Sequence, residues 1–208
     1  SLIFFFFSGV IGSSQTICYG SGPADLLFTT IPTGGQSPFA YRWRQSINGT
    51  SFTDISGRGA GRETYSPPVL GRTTYFQCRV TDVNNVVLGT TNTVQITVRT
   101  PLSPGRISAD PTAQAGVTPD PITEIEAASG GGAEPTFQWQ NSSDGVYWSD
   151  LQGATSTTYS PPPLISDTWY RRMAINGNCG TTASNSVNIS VHPISVYTSE
   201  IPLSYPTH

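Results

Sequence analysis

The feature that most constrains this chain is that it says the same thing twice. YRWRQSINGTSFTDISG starts at Tyr41 and FQWQNSSDGVYWSDLQG at Phe137. Trp43 matches Trp139, Gly49 Gly145, Phe52 Trp148, Asp54 Asp150 and Gly57 Gly153, all at an offset of 96 residues. Further on the offset falls to 94, as in Tyr65 and Tyr159, Pro68 and Pro162, Leu70 and Leu164. The two extra residues of the first copy therefore lie in its GRGAGRE loop. A fixed period whose one length change falls in a Gly/Arg-rich loop is the mark of tandem domains. Over 208 residues it gives two domains of about a hundred residues, each long enough for its own core.

Within each copy the apolar residues recur with period two. Phe39, Tyr41 and Trp43 fall on one face of a strand and Arg42 and Arg44 on the other; Phe137 and Trp139, flanked by Gln138 and Gln140, repeat the pattern. Asn48-Gly49 and Asp144-Gly145 are strong hairpin-turn dipeptides, and each is followed by another strand signal. Residues 25–30 and 122–128 read as strands, the second uncertain in register by one residue. So do 73–81 and 168–175, and each copy closes on an alternating Val/Ile strand. No segment has helical period. Short strands, frequent turns and a buried Trp in the third strand predict an all-β chain: two tandem immunoglobulin-like β-sandwich domains joined by a short linker. The expected division is an apolar arm (1–7), domain 1 (8–100), domain 2 (101–193) and a C-terminal tail or linker to a following element (194–208).

Only 11% of residues are charged and the net charge is −3, which gives no electrostatic footprint for nucleic acid. All ten cations are arginine, so no Lys–Asn isopeptide crosslink can form. No stretch approaches the roughly 20 apolar residues of a membrane span. Leu2, Ile3, Phe4, Phe5, Phe6 and Phe7 form an apolar run where the second copy has the half-polar VRTPLS. A signal-peptide remnant is one reading, although a basic flank and a small-residue cleavage site are missing. The others are a first strand covering its own domain, or a strand added to a neighbouring subunit.

The units QTICYGSGPADL, TYSPPVL and TTYFQCRV, with TWYRR and TTASNSVNISV of the second copy, resemble the Ig-like repeats of large secreted cell-surface proteins of Bacteroidota. That group includes gliding-motility adhesins, usually exported by type IX secretion. The resemblance covers nearly all of residues 8–192 and implies an extracellular, cell-surface location. Such repeats often pair the QTIC cysteine with one in the loop before the last strand. Here Cys18 holds the first position, but the matching loop DVNNVVLG has no cysteine; the second copy has the loop residue Cys179 but Gln114 at the first position. The usual intradomain bond therefore cannot form in either copy. Cys18 with Cys78 is the remaining intradomain pair, and both members are missing together from the second copy, where Arg172 stands at the place of Cys78. That pattern favours a Cys18–Cys78 disulfide, with Cys179 left free or pairing between molecules.

Catalytic chemistry finds little support. The two histidines, His192 and His208, lie at or beyond the end of the second domain, and Cys-x-x-Cys and His-x-His spacings are absent. Glu124 with Glu126 and Asp144 with Asp150 read as solvated surface acids, and Asp82-Val-Asn84-Asn85 as a polar turn. No cofactor or metal is expected. Tyr147 and Trp148, beside the Asp-Gly turn, are candidate ligand-facing aromatics for surface glycans, although the match of Trp148 with Phe52 suggests that one of the two faces the core. The functional expectation is a non-enzymatic structural module of a bacterial surface adhesin or filament. Its partners are other copies of itself or neighbouring Ig-like repeats, and it polymerises through the arm or the tail. The rival is a carbohydrate-binding accessory region of a secreted polysaccharide-degrading enzyme.

Overall fold

Alternation is clearest in the strand Thr74–Thr81 of the computed structural model, where Thr74, Phe76, Cys78 and Val80 are buried and the residues between them are more exposed. The structure describes residues 5–194. Leu2, Ile3, Phe4 and the tail beyond Ile194 lie outside the described residues.

Two units divide the chain. Unit 1 is built from the described residues up to Leu102 together with two later loops, Gly130–Glu134 and Asn176–Gly180. Its strands are β1 (Val10–Ile11), β2 (Gln15–Ile17), β3 (Phe28–Thr30), β4 (Ala40–Ser46), β5 (Thr53–Asp54), β6 (Thr74–Thr81), β7 (Val87–Thr90) and β8 (Val94–Val98). One sheet pairs β1 with β3; the other runs β2-β8-β6-β4-β5, with β7 also on β6. β2 is parallel to β8 and the other pairings are antiparallel.

Unit 2 holds Ser103–Ser129, Pro135–Ile175 and the described residues from Thr181 on. It repeats the plan with β9 (Arg106–Ser108), β10 (Thr112–Gln114), β11 (Thr123–Glu126), β12 (Thr136–Ser142), β13 (Ser149–Asp150), β14 (Thr168–Ile175), β15 (Thr181–Ala183) and β16 (Val187–His192). Its sheets are β11-β9 and β10-β16-β14-β12-β13, with β15 on β14 and β10 parallel to β16. The chain is all-β, two tandem Ig-like sandwiches, and its one helical element among the described residues is a 3-10 turn at Gly177–Cys179.

Each core is organised on a tryptophan. Trp43 is fully buried, and Tyr65 stacks on it at 5.6 Å between ring centroids. Trp139 and Tyr159 repeat the stack at 5.6 Å. An indole N–H removed from water needs an acceptor. Trp43 Nε1 donates to the Arg62 carbonyl and Trp139 Nε1 to that of Ser156, both at 2.8 Å. Their backbone N–H groups donate to Ala60 and Ala154. Because Ala60 and Ala154 match, the insertion of the first copy falls between Gly57 and Ala60.

The structure also fixes the register that the sequence leaves open by one residue. Ile11 faces Phe28 across β1–β3 and Ile107 faces Glu124 across β9–β11, so Glu124 occupies the place of Phe28. The Asn-Gly and Asp-Gly dipeptides do not make two-residue hairpins: β4 and β5 pair only from Gln45 and Thr53 outward. Ser46 Oγ accepts from the N–H groups of Asn48 and Gly49, and Asn48 Oδ1 from those of Thr50 and Ser51. This side-chain-capped loop displaces the tight turn. Ser142 and Asp144 build the same loop in unit 2.

Replacing Trp43 or Trp139 by Phe keeps an aromatic ring but removes the hydrogen bond to Arg62 or Ser156 and leaves part of the indole's space empty. The expected cost is about 1–3 kcal/mol per variant, read as a lowered urea midpoint.

Candidate functional site

The cysteines do not pair as the sequence predicts. Cys18, one residue beyond β2, is disulfide-bonded to Cys179 in the loop Asn176–Gly180 of unit 1, with Cα atoms 5.4 Å apart. Cys78 is free. It lies in the middle of β6, fully buried and directly opposite Trp43, so its thiol points into the core while Cys18 sits beyond a sheet-edge strand. Burial pushes the Cys78 thiol up to about 12, which keeps it protonated and unreactive. The clue in the sequence was complementarity. Each copy lacks the cysteine that the other retains, so the two survivors suit each other. Arg99 supports the bonded loop, donating through Nη1 to the Gly131 carbonyl at 3.1 Å and to Cys179 Sγ at 3.7 Å. Disulfides of this kind form and persist in oxidising surroundings, which points outside the cytosol.

At the matching core position unit 2 carries Arg172, with no exposed surface. Its guanidinium pairs with Glu124 at 2.7 Å, donates to the carbonyls of Thr157 and Pro104, and lies 4.1 Å from the Phe137 ring centroid. Arg172 Nε has no hydrogen-bond partner among the described residues. The two cores thus solve one position in two ways: Phe28 with Cys78 in unit 1, Glu124 with Arg172 in unit 2. Glu124 is consequently not half of a solvated carboxylate pair with Glu126.

Tyr147 is 81% exposed at the tip of its loop. Trp148 does not enter the core cluster, and neither does Phe52. Its ring lies on the outer sheet face, 4.2 Å beneath the Arg171 guanidinium, which itself donates to Gln140. One face of Trp148 is therefore already occupied by a cation. Beside Tyr147 an open groove of about 380 Å³ is lined by Asn141, Ser149, Asp167 and Thr168, among others. The matching groove of unit 1, about 360 Å³, has Ser51 in place of the tyrosine and is lined by Ile47 and Val69.

Three other carboxylates are committed to the fold. Backbone N–H bonds from Tyr147 and Val146, with the Ser142 hydroxyl, hold Asp144 below the usual carboxylate range. For Asp82 burial acts upward, but N–H bonds from Val86, Gln36 and Asn84 outweigh it and its carboxyl is also lowered. Asp150 accepts from Gln140. Among the described residues no cluster of His, Cys, Asp and Glu could hold a metal ion, and no helix is long and apolar enough to cross a membrane.

Residues 7–100 and 103–193 each match the model of one family, DUF8696, a domain of unknown function. The chain belongs to that family. No curated protein matches it. Among solved structures it is similar to domains A168–A170 of titin, at 14% identity, covering 90% of this chain and 68% of that one with a TM-score of 0.50. Fibronectin(III)-like modules of Clostridium thermocellum CbhA are similar at 13% identity, covering 98% of this chain and 97% of theirs with a TM-score of 0.35. At 14% identity the likeness to titin is one of fold alone.

Two outcomes are expected for this DUF8696 chain. Native protein treated with iodoacetamide should gain no adduct, gain one after denaturation and three after reduction, read by intact mass. A Cys18–Cys78 bond would instead leave the partly exposed Cys179 to react in the native state. In unit 2, Glu124→Phe or Arg172→Cys alone should cost about 3–5 kcal/mol, because each leaves a charge without its partner. The double variant reproduces the pair of unit 1 and should recover most of that loss in a double-mutant cycle.

Proposed function

We propose that this chain is a non-enzymatic structural or binding module of an extracellular bacterial surface adhesin or filament. The observation that carries the reading is one closed core built twice in succession, each a tyrosine-stacked tryptophan with a carbonyl-capped indole. The Cys18–Cys179 disulfide supports an extracytoplasmic setting. In this reading residues 8–100 and 101–193 are the modules, RTPLSP links them, and loops and strand edges supply the contacts. The arm 1–7 or the tail 194–208 lends a strand to the next subunit; such head-to-tail contacts do not close and so build fibres.

A second reading, a carbohydrate-binding accessory region, is favoured by the groove in unit 2, where an exposed tyrosine stands beside hydroxyl, amide and carboxylate groups. Sugar rings stack on such aromatics, and their hydroxyls pair with such polar groups.

Antibody against the chain should label intact, unpermeabilised source cells, and proteinase applied outside should remove the signal. Electron microscopy of the purified protein should show ordered fibres that vanish when residues 2–7 are deleted. Binding on a glycan array that Tyr147→Ala abolishes would establish the carbohydrate reading instead.

A further inference from the structure

We infer that the free pole of unit 1, formed by residues 5–7, 33–38 and 82–87, is a docking surface for a second copy of this chain. The seat it takes is the end of the β10–β16 pair. The inference rests on the module reading above and deepens it by naming both surfaces.

The internal repeat supplies the template. The loops Gly130–Glu134 and Asn176–Gly180 are counterparts of residues 34–38 and 82–86. Asn176 N donates to Gly180 O and Cys179 N to Asn176 O; Asp82 N donates to Val86 O and Asn85 N to Asp82 O. Asn85 thus stands where Cys179 stands, and Gly35 where Gly131 stands. The arm follows the same rule: Phe7 bridges Thr33 as Ser103 bridges Ser129. A Cβ at Gly34 would collide with the Phe5 carbonyl, as one at Gly130 would with that of Pro101.

Within unit 1 the later pair of loops is seated on the end of the parallel pair β2–β8. Gly131 is buried; its N–H donates to the Thr100 carbonyl, its carbonyl accepts from Arg99, and Cys179 is bonded to Cys18. The counterpart pole has the same backbone and, among the described residues, no such seat. Gly35 is half-exposed, and its N–H has no hydrogen bond among the described residues. Around it Phe5, Phe6, Phe7, Val83, Val86 and Val87 are exposed, Phe5 by 82%. Such a cluster of exposed large apolar side chains marks an interaction surface.

Among the described residues there is one more seat of the right kind. The parallel pair β10–β16 matches β2–β8, with Gln114 at the place of Cys18 and His192 at that of Arg99. Both are exposed. Gly116 donates to the Leu164 carbonyl, which brings Val117 beside Ile165 at this end. Val117, Ile165 and Ile194 are exposed there, where unit 1 has Ser21, Gly71 and Pro101. An apolar seat faces an apolar pole, and His192 can donate to a loop carbonyl as Arg99 does. No cysteine stands at either surface, so this contact is non-covalent and reversible.

The test supplies the missing cysteines. Asn85→Cys and Gln114→Cys variants, mixed under mild oxidation, should form covalent dimers roughly tenfold faster than Asn85→Cys mixed with Val146→Cys, because docking holds the two thiols together. The double variant Asn85→Cys/Gln114→Cys should give a ladder on non-reducing gels. Retention of the Cys18–Cys179 peptide by mass spectrometry reports that each variant has folded. Independently, the wild-type chain should self-associate in sedimentation velocity, and Val83→Ser/Val86→Ser/Val87→Ser should weaken that association at least tenfold. Equal rates in the two mixtures, or a wild-type chain that stays monomeric, overturns the self-docking. Surface labelling of cells would be unaffected by that failure, so the module reading stands or falls separately.

Discussion

An indole N–H buried without an acceptor would cost more than a typical core contact gains, and each unit of this chain is arranged to avoid that. The tryptophan of β4 or β12 is fully buried, so the loop after β5 or β13 must return and present a carbonyl at 2.8 Å. That return brings Tyr65 or Tyr159 over the ring and bridges the tyrosine to Leu26 or Ile122. From one satisfied donor follow the path of a loop, the stacking partner and the edge of the second sheet. The two-residue insertion in the first copy is tolerated because it falls before the carbonyls that matter.

The same frame accepts different chemistry one position away. Cys78 and Arg172 face the tryptophans from the neighbouring strand, and each is fully buried. A thiol fits there with its proton held; a guanidinium fits only with a carboxylate across from it, two carbonyls and an aromatic face beneath. Changing one residue forces a change on the opposite sheet, from Phe28 to Glu124. Between the two copies both members of the pair differ together, and they are far apart in sequence.

That coupling explains what could be read in advance. Period-two patterning, the duplicated Trp and Tyr, and the Pro-containing turns determine strands and sandwiches through local chemistry, so the fold was legible. Glu124 was misread as a surface acid because its strand is polar and its register rests on pairing with β9, which spacing alone leaves open by one residue. Trp148 was half-assigned to the core because its match with Phe52 is real, yet both rings lie on the outer face near an arginine. The disulfide was mispaired because counting cysteines within each repeat hides the fact that loop 176–180 packs in unit 1. Connectivity is a property of which loops meet, and no local pattern encodes it.

The disulfide has one more consequence. All ten arginines lie between Cys18 and Cys179, inside the covalent loop that the bond closes over a separation of 161 residues. A single cut after any of them, by a protease that recognises arginine, opens the backbone but releases nothing. The two pieces stay on one covalent framework, and the closed cores hold the cut ends. Against a protease of that specificity, the bond turns a severing event into a nick.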